Sequence, residues 1–464
     1  MDNNAKNKAP AAKENKMGTM AVPQLVFNMA IPLMFSLLIQ SLYNIVDSIF
    51  VARLGIDALA ATSLAYPVQI LMIALAVGTG VGANALLSRL LGAREHEKVR
   101  QAAATGVFLA VASSFIFIIG GIVAAPAIAR AMASEKATAD MCAAYLRICM
   151  IFCTGTFLET MAQRCLQASG KTVLSMVSLV VGAGTNIILD PIMIFGLLGC
   201  PKMGIAGAAI ATVIGQWLGA FVALALNQFC NPEIRITFKG FRLDPDNVKS
   251  IYRVGLPTII MQAMGSIMNF AMNGLLITES ETAVAFFGAY YKLQNFLFMP
   301  INGLGQASIP IIGYNFGARN PDRIKKTLRT TLPTGIIIGL AATVIFMIFP
   351  KQLLSLFSTD AQMLSIGVPA IRIICVTFAM ASVTTILGFS ASGLGNGVVN
   401  MLGTGLRQVI ILIPAAAILL HTAGIGSVWF AMWLSEGCAV LYAIFAMRRQ
   451  MRKTEQIIGQ NTGK

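Results

Sequence analysis

The chain has 464 residues, of which 56% are hydrophobic and only 11% are charged. Soluble domains carry about 25% charged residues, so this composition excludes an ordinary soluble protein and predicts a polytopic membrane protein. The net charge of +15 does not indicate a nucleic-acid partner, because the basic residues lie in short clusters between apolar runs. That distribution is typical of loops that follow the positive-inside rule.

The amino-terminal segment and the cysteines suggest neither a signal peptide nor a metal centre. Residues 1–22 are polar and rich in lysine, without the apolar core and cleavage site of a signal peptide, and they predict a cytoplasmic tail. The eight cysteines lie mostly in apolar runs and form no CxxC pair. Zinc sites need clustered ligands, so we expect these cysteines to pack in the interior without metal.

Twelve apolar runs are long enough to cross a bilayer, for which an α-helix needs about 20 residues. They lie near residues 25–52, 62–87, 103–126, 141–165, 173–197, 204–228, 250–278, 285–311, 330–350, 363–389, 396–420 and 426–447. We therefore expect an all-α polytopic membrane protein with twelve transmembrane helices, whose termini share one side of the membrane.

The distribution of lysine and arginine predicts which side that is. The tails and loops on the predicted inner side contain 25 Lys and Arg residues, against five in the outer loops. Cytoplasmic loops carry the excess of positive charge. The chain is therefore expected to be a multi-pass protein of the cell inner (plasma) membrane with both termini in the cytoplasm.

The two halves of the chain are copies of each other. At a constant offset of 225 residues, Pro32 matches Pro257, and the Gly-Ala-Arg sequence at 92–94 returns at 317–319. Six spans per copy predict two six-helix bundles related by a pseudo-two-fold axis along the membrane normal, with the transport path between them. The predicted segments are a tail (1–22), an N-terminal lobe (23–228), a cytoplasmic linker (229–249), a C-terminal lobe (250–447) and a second tail (448–464).

Two aspartates stand out because each lies inside an apolar span of the first half. A charge in hydrocarbon costs at least about 2.5–3.5 kcal/mol, so such residues are rare and usually functional. Tyr43 and Asn44 share a helix face with Asp47, and Asn186 lies one turn before Asp190. These groups predict a site that binds a proton or a cation.

The depth of these residues predicts that they meet. At 1.5 Å per residue, Asp47, Asp190 and Thr212 each lie about 10 Å below the outer ends of their spans. Two adjacent carboxylates cannot both stay ionised without a shared proton or cation. With the amide and hydroxyl oxygens, the set also suits Na⁺, held by Asp47, Asn186 and Asp190. The alternative is ordinary hydrogen bonding between helices.

Prolines and other polar residues within the spans are further candidates. Pro32 and Pro191 interrupt helix hydrogen bonding and are predicted hinges. Polar residues expected to line a substrate cavity are Gln40, Gln262, Asn269, Asn273 and Lys292. Lys292 has an alternative interpretation as a side chain that extends to the membrane surface. The roles of Glu159 and Glu436 stay open.

The first half contains two distinctive segments, residues 40–51 (Gln-Ser-Leu-Tyr-Asn-Ile-Val-Asp-Ser-Ile-Phe-Val) and residues 186–191 (Asn-Ile-Ile-Leu-Asp-Pro). Through these segments and the repeat, the chain resembles the multidrug and toxic compound extrusion (MATE) family over roughly residues 20–450. The resemblance implies a secondary antiporter that expels organic, often cationic, compounds against inward flow of H⁺ or Na⁺. The family's amino-terminal cation site maps to Asp47, Asn186 and Asp190, with Tyr43 and Thr212 nearby.

The chain departs from some family members in its second half. Those members use acidic residues in the seventh and tenth helices, where this sequence has Gln262, Asn269 and Asn273, then Arg372. This departure favours ion coupling through the first half.

The expected function is antiport of organic cations or drugs, without enzymatic activity. No nucleotide motif is present, so transport is expected to run on an ion gradient, with H⁺ or Na⁺ in place of a cofactor. The expected partners are the cargo and the lipid bilayer, with no nucleic acid, and the expected state is a monomer. The principal alternative is a lipid-linked oligosaccharide flippase of the same superfamily, which Lys292 keeps open. A passive channel or a membrane enzyme is a further alternative.

Overall fold

The computed structural model describes residues 15–133 and 135–460, and every regular element in those ranges is helical. Residues 1–14 and 461–464 of the predicted tails lie outside the described residues. Within the described ranges, ten helices are long and apolar enough to cross a membrane. Two further pairs, bent by 47° and 51° at short breaks, each complete one more span. The predicted twelve-span helical fold is confirmed.

The helices of the first half surround a common core of small and apolar side chains. They are α1 (Lys16–Thr19), α2 (Val22–Ala52), α3 (Ile56–Gly92), α4 (His96–Val123), α5 (Ala125–Met132), α6 (Lys136–Ile151), α7 (Thr154–Ala168), α8 (Thr172–Phe195) and α9 (Ile205–Cys230). Helices α6 and α7 form the bent pair of the fourth span.

The second half has the same order of helices and one additional break. Its helices are α10 (Pro245–Leu276), α11 (Glu281–Gly317), α12 (Pro321–Ile348), α13 (Pro350–Ser355), α14 (Ala361–Cys375), α15 (Phe378–Gly393), α16 (Gly397–Gly405), a π-helical turn (Leu406–Ile410), α17 (Leu412–Ala423), a 3₁₀ turn (Val428–Phe430) and α18 (Ala431–Gln460). Helix α18 thus extends well beyond residue 447, where the last predicted span ends.

The internal repeat is visible in the positions where helices begin. Helices α3, α4, α5, α6 and α8 begin 225 residues before α11, α12, α13, α14 and α16. Arg94 and Arg319, in the repeated Gly-Ala-Arg loops, share the left-handed conformation, with φ of 61° and 54°. Because non-glycine residues rarely adopt this conformation, its recurrence shows that the two loops have the same geometry.

The backbones of the two halves are in direct contact at the end of the bundle that carries the Gly-Ala-Arg loops. Helix α3 packs against α10 and α11. A Cβ atom on Gly92 would overlap with the carbonyl of Tyr314, and one on Gly317 would overlap with the carbonyl of Arg89. Only glycine permits backbones to approach this closely. The structure is therefore closed at the end predicted to be cytoplasmic.

Residues 15–20, here called the N-terminal strap, cross the boundary between the halves at the closed end. Arg323 of the second half donates from its guanidinium to the carbonyl of Met17 at 2.9 Å. Asn15 donates from its side-chain amide to the carbonyl of Ser169, in the first half, at 3.2 Å. The strap therefore holds both halves together through its backbone and side-chain hydrogen bonds.

Substitution of Gly92 by alanine should favour separation of the two Gly-Ala-Arg loops. The new methyl group must displace the backbone around Tyr314, and overpacking of this kind costs about 1–3 kcal/mol. Spin labels placed on the two loops should then report a longer mean distance. Gly288→Ala is the matched control, because nothing lies within 4 Å of its added Cβ. Equal label distances in both variants would contradict the steric closure.

Replacement of Arg323 by methionine should release the N-terminal strap. The change removes charged hydrogen bonds to strap carbonyls, each contributing about 1.5–3 kcal/mol. Amide hydrogen exchange of the peptide containing residues 15–20 should accelerate at least about tenfold. Lys326→Met, at an exposed position of the same helix, serves as the control and should leave that exchange unchanged. Unchanged exchange in Arg323→Met would show that the strap is held by other contacts.

Candidate functional site

Three helices of the first half converge on a buried polar cluster. Helix α2 packs on α8, and α8 packs closely on α9. Gly182 and Gly215 make the second contact possible, since a Cβ on Gly215 would lie only 2.7 Å from the carbonyl of Gly182. Small residues at a helix crossing permit the backbones to approach and bring the neighbouring side chains within hydrogen-bond reach. Asn186 follows Gly182 by one turn on α8 and therefore points toward α9.

The cluster joins residues that lie far apart in the sequence. The carboxyl groups of Asp47 and Asp190 lie within hydrogen-bonding reach of each other. Asn186 donates from Nδ2 to Asp190 Oδ1 at 3.2 Å and to Thr212 Oγ1 at 3.3 Å. We call Asp47, Asn186, Asp190 and Thr212 the carboxyl cluster. Its side chains come from α2, α8 and α9, and Asp190 is completely buried.

Several oxygens of the carboxyl cluster have no hydrogen-bond donor. Among the described residues, Asp47 Oδ1, Asn186 Oδ1 and Asp190 Oδ2 are buried and accept no hydrogen bond. A buried acceptor without a partner costs about 1–3 kcal/mol, and more when it is charged. A proton shared by the two carboxyls, or a small hard cation among the oxygens, relieves this cost. The cluster therefore has the chemistry to bind and release one of these ions.

Two tyrosines lie close enough to the carboxyl cluster to interact with it electrostatically. Tyr43 lies near both aspartates and Glu159. Tyr145 also lies near the two aspartates, and its hydroxyl accepts a hydrogen bond from Gln69 Nε2 at 3.3 Å. The sequence analysis included Tyr43 but missed Tyr145, which lies on α6 and carries no local polar pattern. Its hydrogen-bond donor Gln69 could have drawn attention to this position from the sequence, because the second half also has a glutamine at the matching position of the repeat.

Other predicted residues lie away from the carboxyl cluster. Asn44 is exposed, although it is only three residues from Asp47 on the same helix. Gln40 is half-buried one turn before Asn44. The predicted hinges Pro32 and Pro191 both lie inside helices that continue past them, α2 and α8.

The residues predicted to line a substrate cavity in the second half do not form one group. Gln262 lines a cavity of about 250 Å³. Asn269 donates to the carbonyl of Gly265 in its own helix at 2.9 Å. Asn273 is in the same helix, and its Oδ1 is buried and accepts no hydrogen bond from the described residues. Lys292 is exposed on α11.

The two glutamates left open by the sequence have different surroundings. Glu159 of α7 accepts a hydrogen bond from Gln163 at 3.1 Å and lies against the backbone of Gly219. Glu436 of α18 forms a buried ion pair with Arg407, at 3.2 Å between Oε1 and Nε. Each half of the molecule therefore buries carboxyl groups, but among the described residues only the second half pairs a buried carboxyl group with an arginine.

A duplicated bundle of apolar helices, with buried polar clusters between helices of each repeat, is the architecture of a secondary transporter. The profile of the MatE family matches residues 32–192 and 257–418, once in each half. The chain therefore belongs to the MatE family of multidrug efflux transporters, and the resemblance to MATE proteins is confirmed.

Individual relatives agree with this assignment. The chain is 23% identical over 432 residues to the multidrug export protein MepA of Staphylococcus haemolyticus, which covers 92% of this chain and 94% of that protein. It is 24% identical over 423 residues to MepA of Staphylococcus aureus, covering 90% and 92% of the two chains. A solved structure described as the outward-facing conformation of a multidrug resistance MATE transporter superposes with a TM-score of 0.89. That pair is 26% identical, over 97% of this chain and all of the other.

Proposed function

We propose that this protein is a secondary active antiporter, which exports organic cations or amphiphilic drugs in exchange for H⁺ or Na⁺. The single observation that carries the proposal is the contact between the carboxyl groups of Asp47 and Asp190 in a buried site. Two ionised carboxylates in contact repel strongly, so the site demands a positive ion that can enter and leave. The names of the MepA relatives support drugs as the cargo.

Helix α2 is the element through which ion binding would act on the rest of the protein. It carries Asp47 at the carboxyl cluster and also packs against α11 of the second half. At that contact a Cβ on Gly303 would lie 2.8 Å from the backbone nitrogen of Met34, so α2 cannot shift without moving the boundary between the halves. Neutralisation of the carboxyls changes the packing of α2 on α8, and α2 transmits the change to α11.

Exchange requires the ion and the cargo to prefer different states. The ion enters from outside, occupies the carboxyl cluster and stabilises the packing that disfavours bound cargo. The cargo leaves outward, and loss of the ion to the inside restores the state that binds cargo again. The positive-inside distribution of lysine and arginine supports this orientation, with both termini in the cytoplasm.

The geometry of the carboxyl cluster supports both H⁺ and Na⁺ as the coupling ion, for different reasons. The close approach of the two carboxyl groups supports a proton, because a shared proton turns their repulsion into a hydrogen bond. The unpartnered oxygens of Asp47, Asn186 and Asp190 support Na⁺, because carboxylate and amide oxygens are ligands for hard cations. The two ions would compete for the same site, since both neutralise the same pair of charges.

A lipid-linked oligosaccharide flippase is the second candidate. The observation that favours it is Lys292, whose exposed ammonium group on α11 suits an anionic headgroup. A flipping assay with lipid-linked oligosaccharide in proteoliposomes, run beside a drug-efflux panel, separates the two functions.

Replacement of Asp47 by asparagine should lower gradient-driven uptake of ethidium into everted vesicles, which corresponds to export from the cell, at least about tenfold. The amide keeps the size of the side chain but can neither accept a proton nor balance the charge of a cation. Asp57→Asn, an exposed acid at the start of α3, is the control and should transport normally. Full uptake by Asp47→Asn at equal expression would refute the proposed coupling.

Independent clamping of the pH and Na⁺ gradients should identify the coupling ion. If the proton is coupled, efflux should follow the pH gradient and persist without Na⁺. If Na⁺ is coupled, efflux should follow the Na⁺ gradient at equal pH on both sides. Transport that ignores both gradients would contradict antiport and support a passive channel.

A further inference from the structure

The second half contains its own polar cavity, far in the sequence from the carboxyl cluster. It is the cavity of about 250 Å³ that Gln262 lines, here called the C-terminal cavity. Its lining combines aromatic and thioether side chains, including Met268, Phe287, Tyr290, Phe298, Phe389 and Met432, with a larger number of amide, hydroxyl and charged side chains. Pockets for organic ligands pair apolar walls with polar groups that fix the orientation of the guest. None of the carboxyl-cluster residues lines it.

An ion pair forms the polar side of the C-terminal cavity. Arg407 Nε lies 3.2 Å from Glu436 Oε1, and the two side chains are 18% and 8% exposed. The guanidinium also donates from Nη1 to Thr385 Oγ1 at 3.3 Å. All three residues line the cavity. The pair carries no net charge, but its groups keep the capacity for more hydrogen bonds, because a guanidinium has five N–H donors.

Two acceptors on this polar side have no donor. Glu436 Oε2 and Gln408 Oε1 are buried and accept no hydrogen bond from the described residues. Glu436 is only 6% exposed. Arg407 and Gln408 lie on the π-helical turn Leu406–Ile410, a type of distortion that is frequent at functional sites. The cavity thus presents unused acceptors beside a guanidinium.

The internal repeat allows the charges of the C-terminal cavity to be compared with those of the carboxyl cluster in the first half. The π-helical turn lies in the second-half counterpart of α8, and α18 is the counterpart of α9. In the first half, α8 carries an aspartate that meets a second acid and needs a positive ion. In the second half, Arg407 on the corresponding helix supplies the positive charge as a permanent part of the protein. The C-terminal cavity therefore requires no coupling ion to neutralise its acid.

We propose that the C-terminal cavity binds an aromatic zwitterion, a guest that carries both a protonated amine and a carboxylate. The amine donates to Glu436 Oε2 and Gln408 Oε1, and the carboxylate accepts from Arg407. The aromatic body packs against the phenyl and methionine walls, which also favour a nearby ammonium group. The inference adds a guest class to the proposed function, but the binding itself does not depend on the carboxyl cluster.

Charge balance makes the site selective. The Arg407–Glu436 pair is neutral, so a zwitterion adds no net charge to the low-dielectric interior. A simple organic cation adds one positive charge beside Arg407, and a simple anion adds one negative charge beside Glu436. An unbalanced buried charge is costly. The zwitterion should therefore bind more tightly than an analogue with the same aromatic group that carries only the amine or only the carboxylate.

The test is equilibrium binding to the purified full-length protein in detergent, without any ion gradient. L-Tryptophan is the zwitterion, tryptamine lacks only its carboxylate, and indole-3-propionate lacks only its amine. Tryptophan should bind at least about tenfold more tightly than either analogue. Equal affinities for the three probes, or no tryptophan binding to folded protein at millimolar concentration, would overturn the proposal. Because no gradient is present, failure of ion coupling does not affect the result.

Variants of the ion pair distinguish a binding role from a structural one. Arg407→Gln should abolish the preference for tryptophan over tryptamine, and Glu436→Gln should abolish the preference over indole-3-propionate. The double variant removes both buried charges together, so it should fold even if a single variant does not, and it should show neither preference. Glu281→Gln, an exposed acid of the same half, is the control and should keep both. A folded double variant that retains the wild-type preferences would refute the assignment.

Discussion

The structure depends on one constraint, which is that a carboxyl group in a dry interior must have a positive partner or lose its charge. Asp47 and Asp190 satisfy this constraint only by sharing a proton or a cation, because their carboxyl groups lie close together across α2 and α8. Burying one charged carboxylate in the membrane costs at least about 2.5–3.5 kcal/mol, which is a large fraction of the free energy of unfolding of a typical domain. Any ion that enters this contact therefore acts on the packing of the helices that carry it.

The duplication places the same helices around two different electrostatic sites. In the first half the acids face each other, and under the proposed function an exchangeable ion supplies the positive charge. In the second half Arg407 supplies it permanently to Glu436. The proposed function thus assigns to one fold a site that changes its charge and a site that does not. This asymmetry gives a physical reason why the two halves can divide coupling and guest binding between them.

The conformation is held by contacts that only very small residues permit. Gly92 and Gly317 place the backbones of the two halves in direct contact, and the N-terminal strap crosses the same end. These contacts are short-range and therefore sensitive to small displacements of α3 and α11. Helix α2, which contacts both the carboxyl cluster and α11, is suitably placed to produce such displacements.

The twelve spans, the repeat and the family were determined by the sequence alone, because hydropathy, loop charge and a constant offset of 225 are properties of the linear chain. Helical spacing also placed Asn186 beside Asp190. Only the tertiary structure decided which distant groups meet. It directs Asn44 outward although periodicity grouped it with Asp47, and it joins Arg407 to Glu436, which no local pattern indicated. Such contacts depend on the angles at which helices cross, and those angles follow from packing over the whole bundle.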